Sequence, residues 1–230
     1  MRLRATPSGP PHPMLPTGTD DLRWRRAQRI RGLYAITPDT SDTPLLVAKL
    51  EAALQGGANV IQYRNKSASA ELRRAQAMAL ARLTAARGGL SIVNDDVELA
   101  LEVGADGVHL GEDDASIDAA RKLVGAQRII GISCYNDFAR AQRAVAAGAD
   151  YVAFGSFYPS SVKPDARQAD ASLLVQAGSL GVPVVAIGGI TADNARALAR
   201  AGAHAVAVIS AVFAASDVES AARAIAAAYD

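Results

Sequence analysis

Two short acidic segments have residue types that suit a divalent cation. Residues 94–96 read Asn-Asp-Asp, and residues 112–114 read Glu-Asp-Asp, each just after an apolar run. Neighbouring carboxylates repel one another unless a cation neutralises them. Oxygen ligands of this kind favour Mg²⁺, and the Cys and His spacing of a zinc site is absent from the sequence. An Asp that caps the following helix is the alternative role, and the pattern alone leaves both open.

Cationic side chains follow a different apolar run and suit an anion. Gln62, Arg64 and Lys66 are each two residues apart, so at an extended strand end they project to the same side. Arg offers two parallel donors to phosphate oxygens, which makes a phosphate a natural ligand. A solvated strand end paired with acids of a nearby helix would produce the same pattern.

Three further segments could complete a phosphate site. Gly188-Gly189 and Ile209-Ser210 follow two late apolar runs, where backbone N–H groups could bind a phosphate, although a plain tight turn is the alternative. Residues 155–165 are rich in Ser and Pro, and Lys163 within them could bring another cation over the site from a mobile lid. An ordinary surface lysine is the other interpretation of Lys163.

Nucleophilic catalysis finds little support. No Ser-His-Asp set is evident, and His109 lies inside an apolar run, which is typical of a packed core residue. Cys134 has no obvious base beside it, so we expect it to be incidental.

Eight apolar runs must position these residues, and they alternate with Ala-rich helical stretches such as residues 45–54, 70–86, 137–147 and 193–201. Runs without polar alternation are typical of strands buried on both faces. The predicted strands are Leu33 to Ile36, Val60 to Tyr63, Leu90 to Val93, Gly107 to Leu110, Ile129 to Ile132, Tyr151 to Phe154, Val182 to Ile187 and Ala205 to Ile209.

The joints between helix and strand nearly repeat. GGANVIQ at 56–62, VGADGVHL at 103–110, AGADYVAF at 147–154 and AGAHAVAV at 201–208 each restart one β/α unit. Eight such units in about 200 residues predict a single (β/α)8 TIM barrel, an α/β fold. A doubly wound open sheet is the runner-up, but no G-x-G-x-x-G follows the first strand. In a barrel the residues after the strands share one end, where active sites lie.

Composition and charge limit the partners and the cellular location that we expect for the protein. The 230 residues carry a formal net charge of +1, which gives no general attraction to nucleic acid or membrane surfaces. One cysteine fits a reducing compartment, and without an apolar run of about 18 residues or a secretory signal we expect a cytoplasmic protein. Residues 1–30 are expected to be a disordered extension, with a transit peptide or a later start at Met14 as alternatives, and residues 31–230 form the barrel.

Several motifs together resemble thiamine phosphate synthase. They are GLYAIT at 32–37, NVIQYRNK at 59–66, the stretch 94–114 from NDD to HLGEDD, GIS at 131–133, ADYVAFGSFYPSSVKPDA at 149–166, GIT at 189–191 and VIS at 208–210. The similarity covers essentially all of residues 31–230. It implies a Mg²⁺-dependent transferase of thiamine biosynthesis. Such an enzyme joins 4-amino-2-methyl-5-hydroxymethylpyrimidine diphosphate to hydroxyethylthiazole phosphate and releases pyrophosphate.

The resemblance also implies roles for single residues. Asp95 and Asp114 would bind Mg²⁺, while Arg64, Lys66, Ser133 and Lys163 would be catalytic. The implied contacts with the pyrimidine diphosphate are Gln62, Tyr63, Arg64, Asn65, Lys66, Asn94, Ser133 and Lys163. The implied contacts with the thiazole phosphate are Ser160, Ser161, Val162, Gly189, Ile209 and Ser210.

Some positions depart from the family pattern. Ser160 and Val162 stand where the family often has Thr, so any contact at Val162 must use its backbone. Glu112 and Asn65 replace a common Gln and a common acid. The alternatives are a thiazole tautomerase, which lacks the paired aspartates, a binding protein for thiamine intermediates, and a sugar phosphate isomerase, which would need a base that we do not find. The sequence is compatible with a monomer or a homo-oligomer.

Overall fold

The computed structural model describes residues 19–112, 114–159 and 168–230. Eight parallel strands form one closed barrel in sequence order, and β8 closes it by pairing with β1. The strands are β1 (Gly32–Ile36), β2 (Ala58–Tyr63), β3 (Leu90–Asn94), β4 (Gly107–Leu110), β5 (Ile129–Tyr135), β6 (Tyr151–Gly155), β7 (Val184–Ile187) and β8 (Ala205–Val208). The predicted barrel is therefore confirmed, and the open sheet is excluded.

Helices surround the barrel and connect its strands. They are α1 (Thr19–Ala27), α2 (Thr43–Gln55), α3 (Ala70–Ala86), α4 (Val97–Glu102), α5 (Ile117–Val124), α6 (Phe138–Ala146), α7 (Ser172–Ala177), α8 (Ala192–Arg200), α9 (Ser210–Phe213) and α10 (Val218–Ala226). Short polar side chains cap many helix starts by accepting a backbone N–H, which satisfies one of the unpaired donors there. These caps are Asp42, Ser69, Asp96, Ser116, Asp137 and Asp217.

Alternation along each strand divides the core into two layers. Outward-facing residues such as Leu33 and Ile61 pack against the helices, in the larger cluster. Inward-facing residues such as Tyr34, Val60 and Tyr151 fill the barrel itself. The barrel is thus a packed core, and side chains at one end of it form the floor of any cavity.

The amino-terminal end of the barrel is closed by α1. The ordered part of the chain therefore begins before residue 31, where we expected it to begin. Ala27 and Ile30 are buried in the interior cluster. Arg23 pairs with Asp150 at 3.2 Å, and the Arg26 guanidinium donates to the carbonyl of Gln127 at 2.8 Å. We expected disorder throughout residues 1–30, but an apolar face and these arginines fix α1 on the barrel. Residues 1–18 lie outside the described part.

Strand boundaries differ from prediction mainly at β2, β5 and β7. Strand β2 begins at Ala58, two residues earlier than predicted. Strand β5 continues through Ser133 and Cys134 to Tyr135, since its partner β6 pairs with it that far. Strand β7 begins at Val184, two residues later than predicted, after a bend at residues 181–182. None of the described helices is long and apolar enough to cross a membrane.

Candidate active site

A cavity of about 1030 Å³ opens at the carboxyl ends of the strands. A smaller cavity of about 400 Å³ lies beside it and shares Arg64 and Asn94 with it. Four more predicted site residues line the smaller cavity, namely Tyr63, Asn65, Lys66 and Asp95. Both volumes suit small-molecule ligands. The predicted site residues that line the larger cavity are Gln62, Arg64, Asn94, Ser133, Gly189, Ile209 and Ser210.

The end of β2 presents cations to the mouth. The Arg64 guanidinium donates from Nη1 to Asp39 Oδ1 at 2.9 Å, and the backbone N–H of Lys66 donates to the same oxygen at 3.1 Å. The Thr37 hydroxyl exchanges hydrogen bonds with the backbone of Arg64, both at 2.9 Å. Residues 37–39 thus position Arg64, a role for Asp39 that sequence reasoning missed although it follows the first strand.

Two implied contacts, Tyr63 and Asn65, line the smaller cavity, but their side chains bond to α3. The Tyr63 hydroxyl donates to Gln76 Oε1 at 3.0 Å, and Asn65 Nδ2 donates to the same oxygen at 3.0 Å and to the carbonyl of Thr40 at 2.7 Å. Burial raises the pKa of Tyr63 to about 12. Alternation along the strand explains the difference, because residues 63 and 65 face the helix layer when 62, 64 and 66 face the mouth. Their side chains anchor the strand end to α3.

The two aspartates after β3 have separate roles. Asp96 is a helix cap, with Oδ1 accepting the Leu99 N–H at 2.9 Å. Asp95 has φ 64°, an uncommon value for a residue other than Gly, and its N–H donates to the carbonyl of His109 at 2.8 Å. Its carboxylate pairs with Lys66 Nζ at 3.3 Å. The uncommon backbone conformation of Asp95 therefore coincides with a side chain that lines the smaller cavity and pairs with Lys66.

Asp114 comes to the same point from the end of β4. Its Oδ2 accepts the Gly111 N–H at 2.5 Å, and its carboxyl group lies close enough to that of Asp95 to raise the Asp95 pKa. Burial raises the pKa of Asp95 and the facing Asp114 raises it further, whereas Lys66 lowers it. Two carboxyl groups in contact are unfavourable without a cation.

The Asp95 and Asp114 pair fits Mg²⁺. Among the described residues no group of three His, Cys, Asp or Glu side chains could hold a metal. Mg²⁺ commonly takes one or two carboxylates and completes its octahedron with water and phosphate oxygens. A two-carboxylate site that opens on a cavity lined by cations meets that requirement.

Buried polar residues form the floor of the larger cavity. His109 Nε2 lies 2.9 Å from the Ser133 hydroxyl, and His109 Nδ1 lies 2.9 Å from the Tyr151 hydroxyl. Tyr151 and Tyr34 hydroxyls are 2.9 Å apart, and Gln62 Nε2 donates to Tyr34 at 2.9 Å. His109 is indeed buried, as expected, but it belongs to a polar network. Burial lowers the pKa of His109 to about 4, so its ring is neutral at neutral pH.

The sequence did contain a signal for this network. Tyr34 and Tyr151 are single tyrosines in otherwise apolar strand runs, and a buried hydroxyl needs a partner. Cys134, by contrast, is fully buried, and burial raises its thiol pKa to about 12, which disfavours the reactive thiolate.

Backbone groups form the opposite wall. Gly188 and Gly189 have φ values of 103° and 63°, and a Cβ at Gly189 would collide with the carbonyls of Tyr158 and Pro159. Ile209 and Ser210 begin α9, whose first N–H groups have no acceptor within the helix. This wall has the chemistry of a phosphate cup.

Arg140 on α6 joins two strand ends beneath the mouth and was also missed. It donates from Nε to the carbonyl of Ser133 at 2.8 Å and from Nη2 to that of Gly111 at 3.2 Å. Its guanidinium lies over the Tyr135 ring, 5.8 Å from the centroid. The implied contacts Ser160, Ser161, Val162 and Lys163 lie outside the described residues.

Comparisons with known proteins agree on one family. The family model described as thiamine monophosphate synthase matches residues 33–212. The chain is 55% identical over 194 residues to the thiamine-phosphate synthase of Methylobacillus flagellatus, covering 84% of this chain and 93% of that protein. It is 54% identical over 198 residues to the one of Chromobacterium violaceum, with 86% and 96% covered. A solved thiamine phosphate pyrophosphorylase from Pyrococcus furiosus superposes with a TM-score of 0.78 at 38% identity, covering 89% and 97%.

Proposed function

Since the chain belongs to the thiamine monophosphate synthase family, we propose that its barrel mouth joins 4-amino-2-methyl-5-hydroxymethylpyrimidine diphosphate to hydroxyethylthiazole phosphate. The products would be thiamine phosphate and pyrophosphate. The chain is an enzyme, a transferase of thiamine biosynthesis, as its resemblance predicted. We extend this conclusion by proposing the two substrates, the metal ion and the roles of single residues.

One observation carries it: two different anion sites share one mouth. Arg64 and Lys66 bring cations to one side, next to the Asp95 and Asp114 carboxyl pair. Gly189 and the start of α9 bring backbone donors to the other side. A diphosphate suits the first side because it needs several positive charges. A monophosphate suits the second side, where dipoles suffice.

In this proposal Asp95 and Asp114 hold Mg²⁺. When bound, the ion would neutralise charge on the diphosphate as it leaves. The carboxyl pair would then be relieved of its repulsion, and Lys66 would exchange its contact with Asp95 for a phosphate oxygen. Arg64 would likewise exchange one contact with Asp39 for a phosphate oxygen, since its guanidinium has five donors.

The reaction needs no strong base from the protein. The bond from the pyrimidine methylene carbon to the diphosphate oxygen breaks, and a bond from the thiazole nitrogen to that carbon forms. The nitrogen attacks with its own lone pair, so no proton has to be removed. Arg64 and Lys66 would stabilise the negative charge of the leaving diphosphate, which is electrostatic catalysis. The phosphate cup would hold the thiazole close to the carbon. Lys163 would add a third cation.

A coupling assay tests this function. Purified protein receives both substrates and Mg²⁺, and thiamine phosphate is measured after oxidation to its fluorescent thiochrome form. We expect product only when both substrates are present, and loss of product with a chelator that excess Mg²⁺ restores. No product from protein whose circular dichroism shows a folded barrel would contradict the proposal.

The cytoplasm is the proposed location, supported by the single buried cysteine.

A further inference from the structure

The polar floor of the cavity is one continuous chain of hydrogen bonds. It runs from Gln62 through the hydroxyls of Tyr34 and Tyr151 to His109, and then to Ser133, with four contacts of 2.9 Å each. Tyr34 and Tyr151 are 1% and 0% exposed, so water cannot supply alternative partners. Each inner member therefore has to donate to one neighbour and accept from the other.

Such a chain has only two consistent directions. In one, every proton points from Gln62 toward Ser133; in the other, every proton points back. The end group decides between them. Gln62 presents its Nε2 to Tyr34, and an amide nitrogen can only donate. Tyr34 must then donate to Tyr151, and Tyr151 must donate to His109 Nδ1.

The direction of the hydrogen bonds determines where the protons of His109 and Ser133 lie. A neutral imidazole whose Nδ1 accepts must carry its proton on Nε2. That proton is donated to the Ser133 oxygen, so the Ser133 hydroxyl hydrogen is left to point into the cavity. At the other end, the Gln62 Oε1 is left as an acceptor. The floor thus offers a ligand one donor and one acceptor at fixed places.

The side chain of Tyr151 is held in place by its packing. Gly131 on β5 faces the Tyr151 ring, and a Cβ at Gly131 would overlap the ring carbons and the hydroxyl. The ring also lies against His109, with centroids 5.5 Å apart, and against Tyr34 at 6.3 Å. The hydroxyl is therefore held where it can meet both neighbours.

We propose that Tyr34, Tyr151 and His109 are positioning residues which set the direction of this chain and so make Ser133 a hydrogen-bond donor to the diphosphate substrate. The donor role of Ser133 rests on the proposed function, because phosphate oxygens only accept. The direction of the chain rests on the geometry alone. None of the three residues has to touch the reacting atoms.

The first test measures the His109 tautomer in the protein without substrate. Long-range proton–nitrogen correlation spectra of imidazole-labelled protein distinguish a protonated Nε2 from a protonated Nδ1. We expect the proton on Nε2, and His109→Gln identifies the signal. A proton on Nδ1 means that the chain runs in reverse, and that result overturns the proposal. This measurement does not depend on any enzymatic activity.

The second test asks whether Tyr151 acts through Ser133. Tyr151→Phe removes the donor to Nδ1 and should lower kcat/KM for the pyrimidine diphosphate about tenfold or more, with the KM for the thiazole phosphate unchanged. In a Ser133→Ala background the same change should cost less than about twofold. Full additivity of the two changes would contradict action through Ser133.

Tyr63→Phe is the matched control. It also removes a buried tyrosine hydroxyl bonded to a glutamine, but this hydroxyl faces the helix layer. We expect a similar loss of thermal stability, an unchanged His109 tautomer and additivity with Ser133→Ala. If Tyr63→Phe shifts the tautomer as Tyr151→Phe does, a general structural effect replaces the proposed one. A further outcome is that Nε2 carries the proton but the wild-type enzyme makes no thiamine phosphate. In that case the proposed function fails, and the inferred direction of the hydrogen bonds is still supported.

Discussion

The two ends of the barrel use charge in opposite ways. At the amino-terminal end Asp150 lies between Arg121 at 2.5 Å and Arg23 at 3.2 Å, so a carboxylate is surrounded by cations. At the carboxyl end two carboxyl groups, those of Asp95 and Asp114, face each other with one lysine beside them. At one end the chain supplies two cations to a carboxylate, although burial still raises the pKa of Asp150. At the other end we propose that a ligand supplies the missing positive charge.

Backbone conformation follows the same division. The described residues other than Gly with positive φ are Asp95 and Tyr135, and both lie at the carboxyl end. Strain of this kind persists where the surrounding structure enforces it, and it is common at functional sites. Ion pairs within the chain therefore close one end of the barrel, and the described positive-φ residues other than Gly lie at the other, where barrels of this fold have their active sites.

The largest effect should come from the carboxyl pair. We expect Asp95→Ala to lower the coupling rate about a thousandfold, since a metal ion contributes several kcal/mol to stabilising a charged transition state. More Mg²⁺ should be needed for half-maximal activity. The measurement is a magnesium titration of the coupling assay.

Asp96→Ala is the neighbouring control. It removes a helix cap and should cost about 1 kcal/mol of unfolding free energy while leaving the magnesium titration unchanged. Equal titrations for both variants and the wild type would remove Asp95 from the metal site.

The next largest effect should come from the other end. Arg121→Ala leaves the mostly buried Asp150 with fewer partners and should lower the free energy of unfolding by about 3 kcal/mol. Denaturant unfolding measures this change. The KM values of the folded variant should match the wild type, because the change lies at the far end of the barrel. The exposed neighbour Lys122→Ala is the control, and an equal loss of stability there would argue against the special role of the buried pair.

A smaller effect is expected at the phosphate cup. Gly189→Ala places a side chain at φ 63° and against the carbonyl of Tyr158, so the loop has to shift. We expect the KM for the thiazole phosphate to rise about tenfold, with little change in the KM for the pyrimidine diphosphate. Gly181→Ala is matched in φ, at 73°, but has open space around its Cβ position and does not line the cavity. A similar KM change at Gly181 would contradict the phosphate cup.

The sequence predicted the end of the barrel that binds ligands better than the end that is closed. Repeated joints and continuous apolar runs identified all eight strands, and the rule that barrel sites follow the strands led to Arg64, Asp95 and Gly189. These signals are local, because each lies within a few residues of one strand. The arginines of α1 gave no local signal of docking, because Arg23 pairs with Asp150, and Arg26 contacts Asp106 and Gln127, all of them distant in the sequence.

The same reason explains what the sequence did not reveal within the site. The partners of His109 come from β5 and β6, so a single apolar run could show only that the residue is buried. Alternation along β2 was sufficient to separate Arg64, which lines both cavities, from Tyr63 and Asn65, which line only the smaller one and bond to α3. Which aspartate caps and which faces the mouth depends on the positive φ of Asp95, and residue type alone does not specify that conformation.

The smallest expected effect concerns His204 at the amino-terminal end. Its Nδ1 accepts the Val184 N–H at 3.1 Å, which requires the neutral ring, and its pKa is lowered by burial and by Arg31. Below its ordinary pKa of about 6.5 the unfolded chain binds the proton more readily, so the folded state loses stability as the pH falls from 7 toward 5. His204→Asn should lose less stability than the wild type over this interval, by denaturant unfolding at both pH values. His109 contributes equally to both proteins and cancels, so identical pH dependence would show that His204 is not held neutral.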